Sequence, residues 1–359
     1  MHRWSVVPRL WCLLLPLLLI LSLTLLNYDQ LSGDSFLEPI QTSLKCRKLR
    51  ERLVAMTTMK LADMALFTQV VRELMDCPWR LNLTHREIQR TELWACCNAS
   101  DRLIVTRQNT HVNQTLSYKT QRSRKKLVDR TLWEMFPRSV PWKKGLLRRC
   151  SVVGSGGILQ NSSCGEEIDR ADYVIRFNLA PINQSRDVGG KTDLITANPS
   201  QINKQFTDLQ KNPGPLAKHL SVYGHTHLLL PAFSFAFGTA PCFKVYHALR
   251  KVLAQQEVVF FHPDYLYDLG QFWRHRGQRA TRISTGLILA SSALEICEQV
   301  HLYGFWPFSH DLSHNPLPHH YYDNVGPNHH MHAMPEEFLL LLQLHIQGAL
   351  QLHVGNCRA

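Results

Sequence analysis

Hydrophobic positions give the chain three successive textures. From Leu10 to Leu26 they form an almost unbroken apolar run, with Arg3 and Arg9 before it and Asp29, Asp34 and Glu38 after it. Such a run is roughly what a thin bilayer requires, and its basic flank predicts a cytosolic tail over 1–9 with the bulk of the chain luminal. A cleaved signal peptide is the alternative, but Leu26 is followed by Asn27-Tyr28-Asp29-Gln30 and not by the small residues that cleavage prefers. We therefore expect a transmembrane signal-anchor over 10–26 and a polar luminal stem over 27–45.

From Cys46 to about Asp76, the residues Leu53, Met56, Met59, Leu61, Met64 and Leu66 recur near a 3.6-residue period and predict a helix. Residues 46–149 read as a helical, cysteine-containing N-terminal part of the luminal region. Beyond Cys150 short β-branched runs alternate with helical stretches. The strands expected are Ser151–Val153, Tyr173–Phe177, Leu194–Ala197, His227–Pro231, Val258–His262 and His301–Gly304. Helices are expected near 200–210, 243–254, 264–275, 286–299 and 335–346. This alternation predicts an α/β domain over 150–359, with a mainly parallel sheet and helices on both faces. Its length is sufficient for a full core.

Composition narrows the surroundings. There are 40 Lys and Arg against 28 Asp and Glu, a net charge of +12. An excess of this size calls for an acidic partner. A luminal chain does not normally meet nucleic acid, so anionic sugars, a nucleotide phosphate and acidic lipid surfaces fit better. The basic cluster Arg122-Ser123-Arg124-Lys125-Lys126 is expected to be an exposed loop, with an acceptor-guiding patch as the second reading. Five N-x-S/T sequons, at Asn82, Asn98, Asn113, Asn161 and Asn183, support glycosylation in the secretory pathway. The ten cysteines agree with an oxidising lumen. Cys12 lies in the apolar run; Cys46, Cys77, Cys96 and Cys97 allow two local disulfides of open pairing; Cys150, Cys164, Cys297 and Cys357 allow three connectivities. Cys242 is left over.

The first chemical signal is Cys150-Ser151-Val152-Val153-Gly154-Ser155-Gly156-Gly157-Ile158-Leu159, a strand entering a glycine-rich turn. Backbone amides there can approach a phosphate closely, although a tight structural turn explains the glycines as well. Cys164-Gly165, Ile168-Asp169, Val174-Ile175-Arg176-Phe177-Asn178-Leu179, Asp187-Val188-Gly189 and Lys191-Thr192-Asp193 follow. The segment from 150 to about 198 resembles sialylmotif L, the donor-binding motif of animal sialyltransferases. Arg282-Ile283-Ser284-Thr285-Gly286-Leu287, Cys297 and Tyr303-Gly304-Phe305-Trp306 resemble motif S. His320-Tyr321-Tyr322-Asp323 looks like motif III, and His332 with Glu337 five residues later fits the very short motif. Pro231-Ala232-Phe233, Gly304 to Phe308, His319 to Asn324 and His332 to Glu337 look like the alpha-2,8 subgroup, closest to members adding one or a few sialic acids to gangliosides or O-glycans.

The resemblance implies a single Rossmann-like, GT-A-variant glycosyltransferase domain in a type II Golgi membrane protein. It implies transfer from CMP-sialic acid to a terminal sialic acid on a glycoprotein or ganglioside, inverting and with no cofactor. His332 would be the catalytic base and His320 would face the departing phosphate, with Ser155, Gly156, Asn178, Ser284, Thr285, Gly286 and Trp306 around the donor. On local sequence alone, Trp306 reads nearly as well as plain core. Glu337 would orient the His332 ring or close a helix start. Resemblance also selects the pairs Cys150–Cys297 and Cys164–Cys357. The histidines His319, His320, His329, His330 and His332 raise the question of a metal, but no cysteine ligand accompanies them and no Asp-x-Asp pair occurs. No metal is expected. The sequence departs from the family at Ser155, where the family usually carries Asn, so weaker donor binding is expected. A catalytically weak relative that binds sialoglycans is the alternative function. Oligomeric state has no sequence signal.

Overall fold

The computed structural model describes residues 42–57, 64–142, 145–206, 208–253, 256–280, 282–326 and 333–357. The apolar run over 10–26 lies outside these residues, as do His329, His330 and His332. Among the described residues no helix is long and apolar enough to cross a membrane. The chain forms two compact units. In the smaller, a helix over 42–54 and the segment Val70–Cys77 are joined by a Cys46–Cys77 disulfide and a Lys45–Glu73 ion pair at 3.0 Å. The single helix expected from Cys46 to Asp76 is therefore two described pieces, 42–54 and Met64–Met75, with 58–63 outside the description.

Among the described residues the larger unit is built on nine strands. A hairpin of β1 (Thr115–Ser117) and β2 (Lys125–Leu127) pairs antiparallel. The main sheet contains β3 (Leu147–Val153), β4 (Tyr173–Arg176), β5 (Leu194–Thr196), β6 (His227–Leu230), β7 (Glu257–Phe260), β8 (Cys297–Tyr303) and β9 (Gln351–His353). Their order is β7-β6-β5-β4-β3-β8-β9, and every neighbouring pair is parallel. The expected parallel α/β architecture is present. Runs such as Tyr173–Arg176 and Leu228–Leu230 are buried throughout, which is why they read as continuous apolar strands and not as alternating ones.

The differences from expectation have local causes. β8 begins at Cys297, four residues before His301, because Glu298 and Gln299 point outward and interrupt the apolar run. It pairs with β3 from Leu147↔Cys297 to Val153↔Tyr303, so β3 also starts early, through the outward Arg148. β9 is too short to carry a pattern. The helix expected near 243–254 runs from Ala236 to Val252, with Pro241 in its second turn obscuring the start. The basic cluster is not wholly loop: Lys125 and Lys126 pair in β2, and Arg122 is held by Asp264 at 2.7 Å. The core also crosses residue 150, since Val105, Leu116, Val128 and Phe136 share one buried cluster with Ile195, Leu228 and Phe260.

Cys150 is bonded to Cys297 and Cys164 to Cys357; Cys96 is bonded to its neighbour Cys97. Cys242 is a buried thiol whose pKa burial pushes up to about 12. Four sequon asparagines, Asn82, Asn113, Asn161 and Asn183, are exposed. Asn98 is half-buried, and its amide nitrogen donates to Asp101 at 3.1 Å.

Candidate active site

The chain enters the main sheet at β3, builds outward through β4 to β7, then returns to place β8 on the other flank of β3. That reversal makes a switch point, where the loops leaving β3 and β8 diverge at the carboxyl ends of the strands. Both loops carry expected site residues: Gly154–Gly157 after β3 and Gly304–Trp306 after β8.

The two loops meet backbone to backbone. Gly154 N–H donates to the Tyr303 carbonyl at 2.7 Å and Gly156 N–H to that of Gly304 at 3.0 Å. A Cβ on Gly156 would lie 2.6 Å from the Gly304 oxygen, and one on Gly157 would lie 2.0 Å from the Pro318 oxygen. Close approach between loops therefore accounts for these glycines without a ligand. A third segment closes over them: Gly157 N–H donates to His319 O at 3.2 Å, and Tyr321 N–H to Ser155 O at 3.0 Å. Gly156 and His320 also pair as an isolated antiparallel bridge. Ser155, Gly156 and His320 are thus one assembly.

His320 is held on two sides. Its Nδ1 lies 2.7 Å from Asp323 Oδ1, and its ring stacks on Tyr322 at 5.1 Å between centroids. Burial works against the Asp323 carboxylate, but the hydrogen bond from His320 and the Val325 amide hold its pKa below the usual range. With Nδ1 bound to the carboxylate, Nε2 is the nitrogen left for other chemistry.

Asn178 follows β4 in the left-handed region, φ +55°, and Leu179 repeats it at +56°. Asn178 N–H donates to the Thr196 hydroxyl at 3.1 Å, while its side-chain oxygen accepts from Asn198 N–H at 3.0 Å. Such conformations cost free energy and persist only where neighbours fix them. Phe177, just before it, meets Phe305 edge-on at 6.0 Å, and Phe305 is the nearest side chain to Gly286. This aromatic pair links the Asn178 turn to the Ser284–Gly286 turn.

Ser284 caps the helix Thr285–Ile296, its hydroxyl accepting from Leu287 N–H at 3.1 Å. Both Glu337 oxygens are engaged by Ser284: the backbone N–H donates to one at 2.7 Å, and the hydroxyl donates to the other in a short contact. Glu337 is 3% exposed. Burial raises its pKa to about 7 against the opposing pull of the two Ser284 bonds. The expected role of orienting His332 falls on a residue outside the described ones; within them Glu337 ties the helix Met334–Ile346 to the Ser284 cap of another helix.

The Trp306 indole is 4% exposed, packs against Phe308 and Phe338, and donates its N–H to His310 O at 2.7 Å. Its ring is core; only its backbone approaches the glycine turn. Sequence reasoning missed the Ser284–Glu337 pair, the Phe177–Phe305 link and Arg176, a guanidinium 1% exposed that donates from Nε to Lys191 O and Thr192 Oγ1 at 3.0 Å. Only Arg176 had a signal, an arginine inside an apolar strand. Among the described residues one cluster has metal-ligand spacing, Glu167, His353 and Cys357, but the Cys357 sulfur is bonded to Cys164 and is no thiolate.

The seven-stranded parallel sheet defines an α/β domain, of the kind in which the carboxyl ends of the strands at a switch point are where ligands are held. Fold alone goes no further. The chain belongs to glycosyltransferase family 29, the sialyltransferases, whose model matches residues 100–349. It is 43% identical over 293 residues to the mouse protein named Alpha-2,8-sialyltransferase 8F, covering 81% of this chain and 74% of that one. It is 43% identical over 281 residues to the Bos taurus Alpha-N-acetylneuraminide alpha-2,8-sialyltransferase, covering 78% and 79%. A solved mammalian sialyltransferase bound to Gal-beta-1-3GalNAc-ortho-nitrophenol aligns at 19% identity with a TM-score of 0.41, covering 84% of this chain and 92% of that one.

Proposed function

We propose that the chain is an alpha-2,8-sialyltransferase, moving sialic acid from CMP-sialic acid onto a terminal sialic acid of a glycoprotein or ganglioside. The observation that carries this reading is identity above 40% over about four-fifths of the chain to proteins with that name.

The chemistry is a displacement at the anomeric carbon. The acceptor hydroxyl oxygen bonds to that carbon, the phosphate oxygen of CMP leaves with the bonding pair, and the hydroxyl proton passes to a base. His332 is the proposed base. It lies just before the helix Met334–Ile346, whose first turn holds Pro335, and the positive end of a helix favours neutral imidazole. His320, oriented by Asp323, is proposed to donate from Nε2 to the departing phosphate, a charge-assisted bond that strengthens as charge develops. Ser155, Gly156, Asn178, Ser284, Thr285 and Gly286 are proposed to seat the donor, with the Trp306 ring holding its loop in place. A single displacement inverts the anomeric centre, and the proposed reaction uses no metal. We further propose a type II Golgi membrane protein, anchored by 10–26 with a 27–45 stem and a luminal Rossmann-like, GT-A-variant catalytic region.

The test is a secreted form lacking residues 1–27, incubated with CMP-sialic acid and a panel of sialylated gangliosides, O-glycans and N-glycans. Transfer that survives EDTA and is lost in His332→Ala supports the reading. A folded protein that binds CMP yet transfers nothing contradicts it.

A further inference from the structure

A cluster of titratable side chains gathers where β8 and β9 run side by side, and the proposed reaction uses none of them. Tyr303 ends β8 and is fully buried. Its carbonyl accepts from Gly154 N–H at 2.7 Å, and that of Gly304, the next residue, accepts from Gly156 N–H at 3.0 Å. The glycine turn therefore hangs from this strand end. The Tyr303 side chain is fixed as well. Its ring stacks on the His353 imidazole of β9, 4.3 Å between centroids and 12° between planes. Its hydroxyl donates to Glu167 Oε1 at 2.9 Å and accepts from Arg149 at 3.2 Å. Arg149 also donates to the same Glu167 oxygen at 3.0 Å.

His353 is held at its edge too. Its Nε2 lies 3.1 Å from Nδ1 of the buried His301 and 3.7 Å from Glu167 Oε1. At 3.1 Å one imidazole nitrogen donates and the other accepts, so two neutral rings satisfy the contact. Among the described residues the charged and titratable groups around this stack are Arg149 from β3, Glu167 from the helix Gly165–Asp169, and His301 and Tyr303 from β8. The Cys357 sulfur is also near, but it is bonded to Cys164 and does not titrate. One guanidinium and one carboxylate balance, so a proton on His353 leaves a net positive charge where water is scarce. Glu167 Oε1 already accepts from Tyr303 and Arg149, and a third donor must displace one of them. Burial lowers the His353 pKa to about 4, with Arg149 adding to the effect and Glu167 opposing it. Burial, then Arg149 and His353, lowers that of His301 to about 3.

We propose that His353 is a positioning residue for the donor turn: as a neutral ring stacked on Tyr303 it holds the strand end that carries Gly154 and Gly156, and a proton on it loosens that hold. This rests on the function proposed above, in which the turn seats the donor. His353 touches no reacting atom in this account and acts only through Tyr303. The acceptor lies outside its reach, so its loss falls on donor binding.

The test compares the full chain, His353→Ala and His353→Phe in a non-ionic detergent. Phenylalanine keeps a flat ring against Tyr303 and cannot titrate; alanine removes the stack. At pH 7 His353→Ala is expected to raise the donor KM on the order of fivefold, the scale of one aromatic pair, with the acceptor KM unchanged. His353→Phe is expected to restore most of that loss. A residue that only stabilised the fold would lower the unfolding temperature without this split between the two KM values. A second arm reads the proton. A folded-state pKa below the ordinary 6.5 means that stability is fully present above 6.5 and is lost as pH falls toward about 4. Between pH 7 and pH 5 the unfolding midpoint of the native chain is expected to fall about 5 °C further than that of His353→Phe. The proposal is overturned if a folded His353→Ala keeps the native donor KM, if both KM values rise together, if His353→Phe restores nothing, or if the two midpoints fall in parallel. The midpoint arm needs neither transfer nor His353→Ala, so misfolding of the alanine variant does not blunt it. Absence of any transfer by the native chain overturns the parent function instead.

Discussion

Glu337→Gln isolates the buried carboxylate that joins the helix Met334–Ile346 to the Ser284 turn. The side chain keeps its shape, and its amide can still meet Ser284, but it cannot ionise. In the native protein burial holds the Glu337 pKa at about 7 against an ordinary 4.5. A folded-state pKa above the unfolded one means that the folded protein keeps the proton longer. Stability is then greatest below 4.5 and falls as pH rises through about 7. At about 1.4 kcal/mol per pH unit, that interval corresponds to a loss on the order of 3 kcal/mol. Glu337→Gln lacks this slope. Below about pH 7 the protonated carboxyl and the amide both make neutral hydrogen bonds to Ser284, so exchanging one for the other adds an offset of about 1 kcal/mol or less to the comparison there. Urea unfolding of the two secreted proteins between pH 4.5 and 8 measures the difference. The stability gap, native minus variant, is expected to shrink or change sign by roughly 3 kcal/mol across that range. Parallel curves would refute the buried, ionisable Glu337.

Other perturbations probe the remaining joints. Gly157→Ala forces a Cβ to within 2.0 Å of the Pro318 oxygen; a loss of about 3 kcal/mol or more is expected in unfolding experiments, and a stable, active variant would contradict the close packing of these loops. Cys297→Ser opens a bond spanning 147 residues that ties β3 to β8; a loss of about 2–5 kcal/mol is expected, with activity abolished, and full activity would show that the bond does not hold the site. Ser155→Asn should lower the donor KM a few-fold by supplying a longer amide; an unchanged donor KM would show that position 155 does not limit donor binding.

The sheet was largely legible because parallel strands buried on both faces leave continuous apolar runs, as at Tyr173–Arg176 and Leu228–Leu230. Legibility failed where polar residues belong to a strand, as at Glu298 and Gln299, or where a strand such as Gln351–His353 is too short to show a period. The glycine turn was visible, but its cause was not. Local sequence suggested room for a phosphate, whereas the glycines make way for Gly304 and Pro318, distant in the chain. Glu337 shows the same limit. Its neighbours marked it as part of a helix start, and its partner Ser284 lies 53 residues away.

The central claim is that the acceptor is itself a sialic acid. The most direct measurement compares transfer from CMP-sialic acid onto one sialylated acceptor and onto the same glycan after sialidase treatment. The account predicts product only from the sialylated form, with the new linkage alpha-2,8. Equal or greater transfer onto the desialylated glycan, giving sialic acid linked to galactose, would contradict it.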